Sequence, residues 1–372
     1  MRKVNVKIHM FSTRMDGKCG IGAHAKYLRD EQKKLGLDII ATFVEPQRKN
    51  PLYYLKTAMT VSKDCDIAHI EFEYSFFGKL GPFSGIYVPL FYTFLRLLSY
   101  ALLFKIATTI HEIWEPENPP RFGELGAIYI NIVNRFVFNL SDFLIVFSEV
   151  TKDKVARQGV EKSRIVVTPQ GCNSPIFMDK NECKKKIGLD PNKKIVTIFG
   201  FIRRSKGHDL LIEASKHLKN TIVLIAGDIR SQEESKGYLE ELRRTATDET
   251  LFTGFVEEDN IPVILNATDV MVLPYRRIAE SAVLDWSLAY RIPTITSDLP
   301  YFREINEKYS CTLLFRNQDI VSLVDSINKL LNDKELQNRL RSVCKKFQNE
   351  NSFERAAKET YMAYLACLRK TL

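Results

Sequence analysis

At 372 residues, with 45% hydrophobic and 27% charged side chains, the chain has apolar material for real cores; wholesale disorder is excluded and two domains are expected. Its seven cysteines (19, 65, 172, 183, 311, 344 and 367) are odd in number and scattered, with no CxxC and no paired Cys/His spacing, so a reducing cytoplasm is expected rather than a disulfide framework or a zinc site. The net charge is +9, with residues 1–175 holding 23 Lys+Arg against 17 Asp+Glu; that excess suits an anionic partner such as a nucleotide, a phospholipid surface or a polyphosphate, while no RNA-binding aromatic motif, zinc finger or basic helix points to nucleic acid.

Met1 to Phe11 alternates into a strand and has no signal-peptide core. Ser12 to Gly22 then forms a glycine-bearing loop before a helix with Ala25, Leu28 and Leu35 on one face. Those glycines either make a tight turn or let backbone N–H groups approach a ligand; the spacing is not GxGxxG. Leu37–Val44 reads as the next strand, Tyr53–Ser62 as a helix, and Cys65–Tyr74 as a strand ending in two carboxylates and a tyrosine. Acidic residues at a strand's carboxyl end sit where open α/β sheets take ligands.

Pro82–Phe104 is a 23-residue apolar stretch with one charge, Arg96. Its length approaches a membrane span, but Pro89, Gly85, the central Arg96 and the strand Lys105–His111 directly after it argue for a helix within the domain. Two readings stay open: a helix packed on the sheet, or the same helix touching a bilayer surface. His111 and Glu112 close the strand, where a histidine serves either as a hydrogen-bonded structural residue or as a substrate contact. Residues 115–125 form a Pro-rich loop, expected to be mobile. A helix over 126–140, a strand Asp142–Ser148, a helix from Ser148 or Glu149 and a short strand Arg164–Gly171 follow. The charge run Asp179–Lys186 reads as a solvated helix face, and the domain boundary falls near 172–180.

The second half repeats the βα grammar. Strand Lys194–Phe199 ends in Gly200; Arg203, Arg204 and Lys206 follow, then Gly207 and a helical pattern. A strand end that feeds cations toward a helix N-terminus is a natural seat for phosphate, or else a turn with solvated basic residues. Strands Thr221–Asp228, Thr250–Val256, Asp269–Pro274 and Pro293–Ser297 alternate with helices about 234–245, Asp259–Asn266 and one opening near Glu280-Ser281-Ala282-Val283-Leu284. A short strand Leu313–Phe315 and helices 318–332 and 334–348 close the half. Alternating strands and helices of this kind predict two doubly wound parallel sheets.

The order and spacing of these motifs resemble the retaining glycosyltransferases of the GT-B fold, glycosyltransferase family 4, over nearly the whole chain. The resemblance rests on Cys19-Gly20-Ile21-Gly22, Thr109-Ile110-His111-Glu112, Pro169-Gln170-Gly171-Cys172, Gly200 through Gly207, Ala226-Gly227-Asp228, Gly254-Phe255-Val256, Ala267 to Val270 with Leu273-Pro274-Tyr275, and Asn351 to Ala357. It implies an α/β fold of two Rossmann-like domains facing a central cleft. The acceptor-side domain would span 1–175 with a crossing-back helix 352–372, and the donor-binding domain 176–351. It implies a nucleotide-diphosphate sugar as co-substrate, with no metal and no other cofactor. Lys206 matches the family's phosphate lysine and Arg203 is the expected second cation, since Phe201 stands where many members carry arginine. Gly200 belongs to the same turn. Backbone N–H groups of Ser281, Ala282 and Val283 would face the phosphates, Val256 would meet the base through its backbone, Gly20 and Gly22 would approach the sugar phosphate, and His111 would lie near the transferred sugar.

Many members carry two glutamates eight residues apart beside the donor. Those positions are Ile278 and Trp286 here; Glu280 is the nearest acidic candidate and Asp285 lies one before the second position. The resulting expectation is a cytoplasmic, metal-independent, retaining hexosyltransferase acting by front-face attack on a hydroxyl acceptor. The apolar stretch and the basic first part suggest a lipid-linked or polysaccharide acceptor and a peripheral place at the inner face of the membrane. A catalytically weak sugar-nucleotide-binding partner is the alternative, and a sugar-nucleotide 2-epimerase a further one.

Overall fold

The computed structural model describes residues 6–16, 19–46, 48–80, 83–115, 123–229 and 232–369. The first residues of the expected opening strand (1–5), Pro82 of the apolar stretch and most of the Pro-rich loop (116–122) lie outside the described residues. The chain divides into two compact units, one running to Gly171 and resuming at Phe353, the other spanning Cys172–Ser352.

The first unit holds β1 (Lys7–Ser12), β2 (Asp38–Phe43), β3 (Ile67–Phe72), a small antiparallel pair β4 (Lys79–Leu80) and β5 (Phe83–Ser84), then β6 (Lys105–Ile110), β7 (Phe143–Val146) and β8 (Ile165–Val167). Six of them form one parallel sheet in the order β2-β1-β3-β6-β7-β8. Parallel neighbours need crossovers, and helices Gly20–Lys34, Pro51–Met59, Val88–Leu102, Gly123–Leu140 and Glu149–Arg157 supply them. Every residue of β3 is buried, as a strand covered on both faces must be. One hydrophobic cluster gathers Phe72, Phe77, Phe91, Tyr92 and Leu95; another gathers Ile8, Met10, Ala25, Ile145 and Tyr364.

The apolar stretch becomes helix Val88–Leu102, with Pro89 in its first turn and Leu103 ending it in the left-handed conformation. Val88, Phe91, Tyr92, Leu95 and Ser99 form its buried stripe, at the spacing a helix needs to present one face. Each large side chain buried there is worth about 1.5–3 kcal/mol. Arg96, its one charge, bonds Asp142 at 3.1 Å, and Asp142 also accepts from the Ile106 N–H at 2.7 Å. The helix therefore packs on the sheet, while Leu97, Tyr100 and Leu103 stay exposed. Among the described residues no helix is long and apolar enough to cross a membrane.

Phe353–Arg369 is the last helix and belongs to the first unit. Its Tyr364 hydroxyl is buried against His69 Nδ1 and lies 3.4 Å from Gln32 Nε2, which donates to it. A side chain at Gly171 would collide with the Phe353 ring, so glycine at φ +98° is what lets the helix seat.

The second unit holds β9 (Lys194–Phe199), β10 (Thr221–Ala226), β11 (Thr250–Gly254), β12 (Val270–Leu273), β13 (Thr294–Ser297) and β14 (Leu313–Phe315). All pair in parallel, in the order β11-β10-β9-β12-β13-β14. The order reverses between β9 and β12, and the crevice at the carboxyl ends of such a pair is where open α/β sheets bind ligands.

Three local expectations change. The charge run 179–186 is not simply a solvated face. In helix Lys180–Lys186 the Lys184 side chain is buried, and Lys180 and Lys184 each bond Asp269 at 2.8 Å. Asp269 also accepts from the Ile195 N–H at 2.9 Å, so the helix is tied to the sheet through one carboxylate that needs counter-charge. The strand expected to run to Tyr74 stops at Phe72, because Glu73 accepts from the Ser75 N–H and caps a short turn instead. Helix Pro300–Tyr309, with proline in its first turn, was not anticipated.

Candidate active site

The carboxyl end of β9 carries the basic loop. Gly200 has φ +99°, and its N–H bonds the Ala226 carbonyl at 2.8 Å. A Cβ on Gly200 would lie 2.9 Å from Lys206 Nζ and 3.5 Å from Val283 Cγ2. Gly200, Lys206 and Val283 therefore converge on one point above the strand. Lys206 is half-buried, its ammonium 5.5 Å from the centre of the Tyr275 ring. Burial first, and Arg203 second, push that ammonium down to about 8. Neither Lys206 nor the exposed Arg203 has a carboxylate partner among the described residues.

The loop is held by charges of its own. Arg276 reaches both oxygens of Asp209, at 2.8 and 2.6 Å, and donates to the Arg204 carbonyl at 2.8 Å. Its own N–H bonds the Ser205 carbonyl at 2.8 Å. The Tyr238 hydroxyl donates to Asp209 at 2.6 Å, and Arg204 is paired with Glu241 and stacked 4.5 Å from the Tyr238 ring. Arg204 is thus spent on the protein, leaving Lys206 and Arg203 to an outside anion. Gly207 takes φ +69°, and a side chain there would strike the Pro274 carbonyl. Asp209, Tyr238 and Arg276, which brace the basic loop, were missed by sequence reasoning; their partners lie 29 and 67 positions apart, and no local motif links them.

Across the order reversal, Ser281 caps helix Ala282–Ala289, accepting from the Leu284 N–H at 3.2 Å. Ala282 is exposed and Val283 half-buried, which leaves the first turn open beside Lys206. Such a turn carries N–H groups with no intrahelical partner and favours an anion. Val256 follows β11, two strands from β9, and is partly buried against the Leu224 cluster. Glu280 is half-buried, and its charge is felt by Asp285 and Tyr301. Burial, reinforced by Glu280, pushes the Asp285 carboxyl well above the usual carboxylate range. Ile278 and Trp286 both pack against the Leu284 cluster. Where many family members place carboxylates, this chain has apolar packing.

In the first unit, Gly20 opens helix Gly20–Lys34 and a Cβ there would meet open space. Gly22 differs: a Cβ would run into the Arg14 carbonyl, so its role is close packing of loop on helix. His111 directly follows β6 and bonds Glu71 Oε2 through Nε2 at 2.6 Å. His24 Nδ1 faces the same oxygen at 3.5 Å, and the His24 and His111 rings meet edge to face at 4.9 Å. Glu71 has no exposed side-chain surface. Burial alone would raise its carboxyl; His24, His111 and His69 outweigh that and hold it well below the usual range. Burial lowers His111, with Glu71 opposing, and lowers His69 to about 4.

His24, Glu71 and His111 offer ligand-type atoms within 4.8 Å of one another. A divalent ion would need each about 2.0–2.2 Å from a common centre. The 2.6 Å contact of His111 with Glu71 is a closed hydrogen bond, and the carboxylate would have to turn to admit an ion. The cluster as it stands is closed by that one hydrogen bond. Sequence reasoning passed over His24 and read Glu71 as a ligand-facing acid; the alternation of His69 and Glu71 on one side of β3 was the available signal.

Two parallel Rossmann-like sheets, the second with a basic loop at its order reversal, define a GT-B glycosyltransferase fold. Residues 179–347, within the second unit, match the sequence profile described as Glycosyl transferases group 1. It is similar to the lipopolysaccharide core biosynthesis mannosyltransferase LpsB of Rhizobium meliloti, 29% identical over 42% of this chain and 46% of LpsB. It is also similar to the alpha-D-kanosaminyltransferase of Streptomyces kanamyceticus, 27% identical over 43% of this chain and 42% of that one. The chain thus spans about half the length of the curated relatives it matches. Among solved structures, HepE of Anabaena in complex with UDP and glucose superposes over 97% of this chain and 100% of its own, with TM-score 0.75 and 13% identity.

Proposed function

We propose that this chain is a glycosyltransferase that takes a hexose from a nucleotide-diphosphate sugar and passes it to a hydroxyl acceptor with retention of configuration. One observation carries the reading: Lys206 is turned over the end of β9 with a lowered pKa and, among the described residues, no carboxylate to neutralise it. Breaking the glycosidic bond leaves charge on the diphosphate, and fixed donors aimed at that charge lower the barrier. Lys206, Arg203 and the first turn of helix Ala282–Ala289 supply such donors, in place of a metal. The leaving phosphate would take the acceptor's proton as the hydroxyl attacks from the same face. The complex of HepE with UDP and glucose, and the mannosyl and kanosaminyl transfers in the names of the two relatives, support this donor class.

The acceptor we assign is lipid-linked or polysaccharide, met at the cytoplasmic face of a membrane. Helices Val88–Leu102 and Gly123–Leu140 pack side by side and leave Leu97, Tyr100, Leu103, Leu125, Ile128 and Ile132 in solvent. Leu103 is 88% exposed. Apolar side chains on helices that cannot span a bilayer suit its surface.

Nucleotide release measured over a panel of UDP- and GDP-hexoses tests the donor reading. Turnover with one donor that Lys206→Ala abolishes, in EDTA as without it, is expected. Ile278 and Trp286 favour a second reading, a sugar-nucleotide-binding partner of low activity; nucleotide binding without turnover across acceptors would decide for it.

A further inference from the structure

The first unit buries one carboxylate among three imidazoles, and this arrangement sets the chemistry of the histidine that closes β6. We propose that Glu71 is a positioning residue that locks His111 as the Nε2–H tautomer, so that its Nδ1 accepts a hydrogen bond from a sugar hydroxyl. The identity of that hydroxyl rests on the glycosyltransferase reading; the tautomer does not.

Three imidazoles face this carboxylate. Glu71 Oε2 takes His111 Nε2 at 2.6 Å and lies 3.5 Å from His24 Nδ1. Glu71 Oε1 has no hydrogen-bond partner and lies 3.6 Å from His69 Nε2. His69 is committed elsewhere: Nε2 lies 2.7 Å from Thr109 Oγ1, and Nδ1 meets the Tyr364 hydroxyl. His24 and Phe147 pack against the His111 ring at 4.9 and 5.3 Å. A carboxylate accepts only. With Glu71 ionised, the ring nitrogen facing it must carry hydrogen, and a neutral ring then holds its lone pair on the other nitrogen. His111 Nδ1 has no protein partner among the described residues. An uncharged acceptor suits a hydroxyl; a phosphate oxygen would be repelled by a lone pair.

The arrangement also explains why a buried acid is tolerated. Ionised carboxylates in apolar surroundings are costly unless hydrogen-bonded. Here the imidazole N–H of His111 satisfies one oxygen, so the residue that needs orienting is also the one that stabilises its orienter.

Long-range proton–nitrogen NMR on the full chain labelled at its six histidines reads the tautomer directly. With His111 assigned by His111→Asn, the wild type should show one fixed Nε2–H ring across pH 6–8 (pH values chosen about the ordinary histidine range). Glu71→Gln should release it, giving mixed tautomers, and Glu71→Asp should partly restore it. In the nucleotide-release assay Glu71→Gln should lower kcat on the order of tenfold or more, as loss of a histidine's orienting acid does elsewhere, with KM for the donor changed less. A wild-type His111 that titrates freely through mixed tautomers would overturn the proposal whether or not the chain is a transferase. So would stoichiometric zinc that Glu71→Gln removes, since the cluster would then be a metal site. A fixed tautomer in a protein with no transfer activity would uphold the positioning and sink the transferase reading alone.

Discussion

Lys206 Nζ occupies the space that any side chain at Gly200 would need, 2.9 Å from where its Cβ would stand. The glycine therefore does more than make a turn. It admits an ammonium to the end of β9, at the point where the sheet order reverses. The two residues should respond oppositely to alanine. Gly200→Ala adds a clash at φ +99° and should cost about 1–3 kcal/mol of stability. Lys206→Ala removes a half-buried cation with no carboxylate partner among the described residues, so the melting temperature should hold or rise. UDP affinity should fall in both, by about 1.5–3 kcal/mol for Lys206→Ala. Thermal unfolding and titration calorimetry measure the pair; Lys206→Ala that binds UDP like wild type would remove the lysine from the site.

The same ammonium should give donor binding a pH dependence. Its pKa is lowered to about 8, so the free protein loses that proton above this pH. A bound diphosphate favours the charged form, and binding there must take up a proton. UDP affinity should be level below pH 8 and fall about tenfold per unit above it. Lys206→Arg, charged throughout, should flatten the profile. A slope unchanged in that variant would assign it to another group.

Arg276 holds the basic loop from the far side through Asp209 and two carbonyls. Arg276→Ala should cost about 1–2 kcal/mol of stability, the ordinary value for hydrogen bonds to charged groups discounted for partial exposure. It should raise the donor KM more than it lowers kcat, because it frees Arg203 and Lys206 without removing either. Steady-state kinetics separate these outcomes.

Asp269 is the counter-charge for buried Lys184 and for Lys180. Asp269→Asn leaves a buried ammonium unpaired and should cost about 3–5 kcal/mol. Burial raises the Asp269 carboxyl, but the two lysines outweigh it and lower it below the ordinary value. Its contribution is present above the unfolded-state carboxylate pKa and fades as pH falls through the lower folded value. Denaturant midpoints of wild type and variant should therefore converge in acid.

Membrane contact is tested on the exposed apolar helices. Leu97→Ser with Leu103→Ser should weaken co-sedimentation with anionic vesicles at least about tenfold, from the apolar area lost. Both side chains are exposed, so the melting temperature should stay put. Equal sedimentation would leave the patch without a lipid role.

Strand positions and most helices were legible because parallel strands read as short apolar runs and most crossovers had a periodic stripe; the order of the strands within each sheet was not, since it depends on contacts far apart in the chain. Gly200, Lys206 and Val283 could be picked out because they sit in one βα turn and one helix start. Glu71 was visible as an acid near a strand end, but not its direction: position 71 falls on the same side as His69, which the period of two allows and which burial makes costly. Lys184 was misread for a related reason. Its partner Asp269 lies 85 residues away, and a charge run gives no sign that one member is turned inward.

The first unit is interrupted by the second. Tyr364 meets His69 across 295 positions, and Phe353 fills the space over Gly171. On the ribosome, domains generally fold as they emerge. Residues 172–352 are contiguous and can fold as soon as they are out. The unit begun earlier must wait for its last helix, with the Tyr364 face of its sheet open throughout. Synthesis thus completes the two units in reverse order, and the half-finished one is the species most exposed to chaperones.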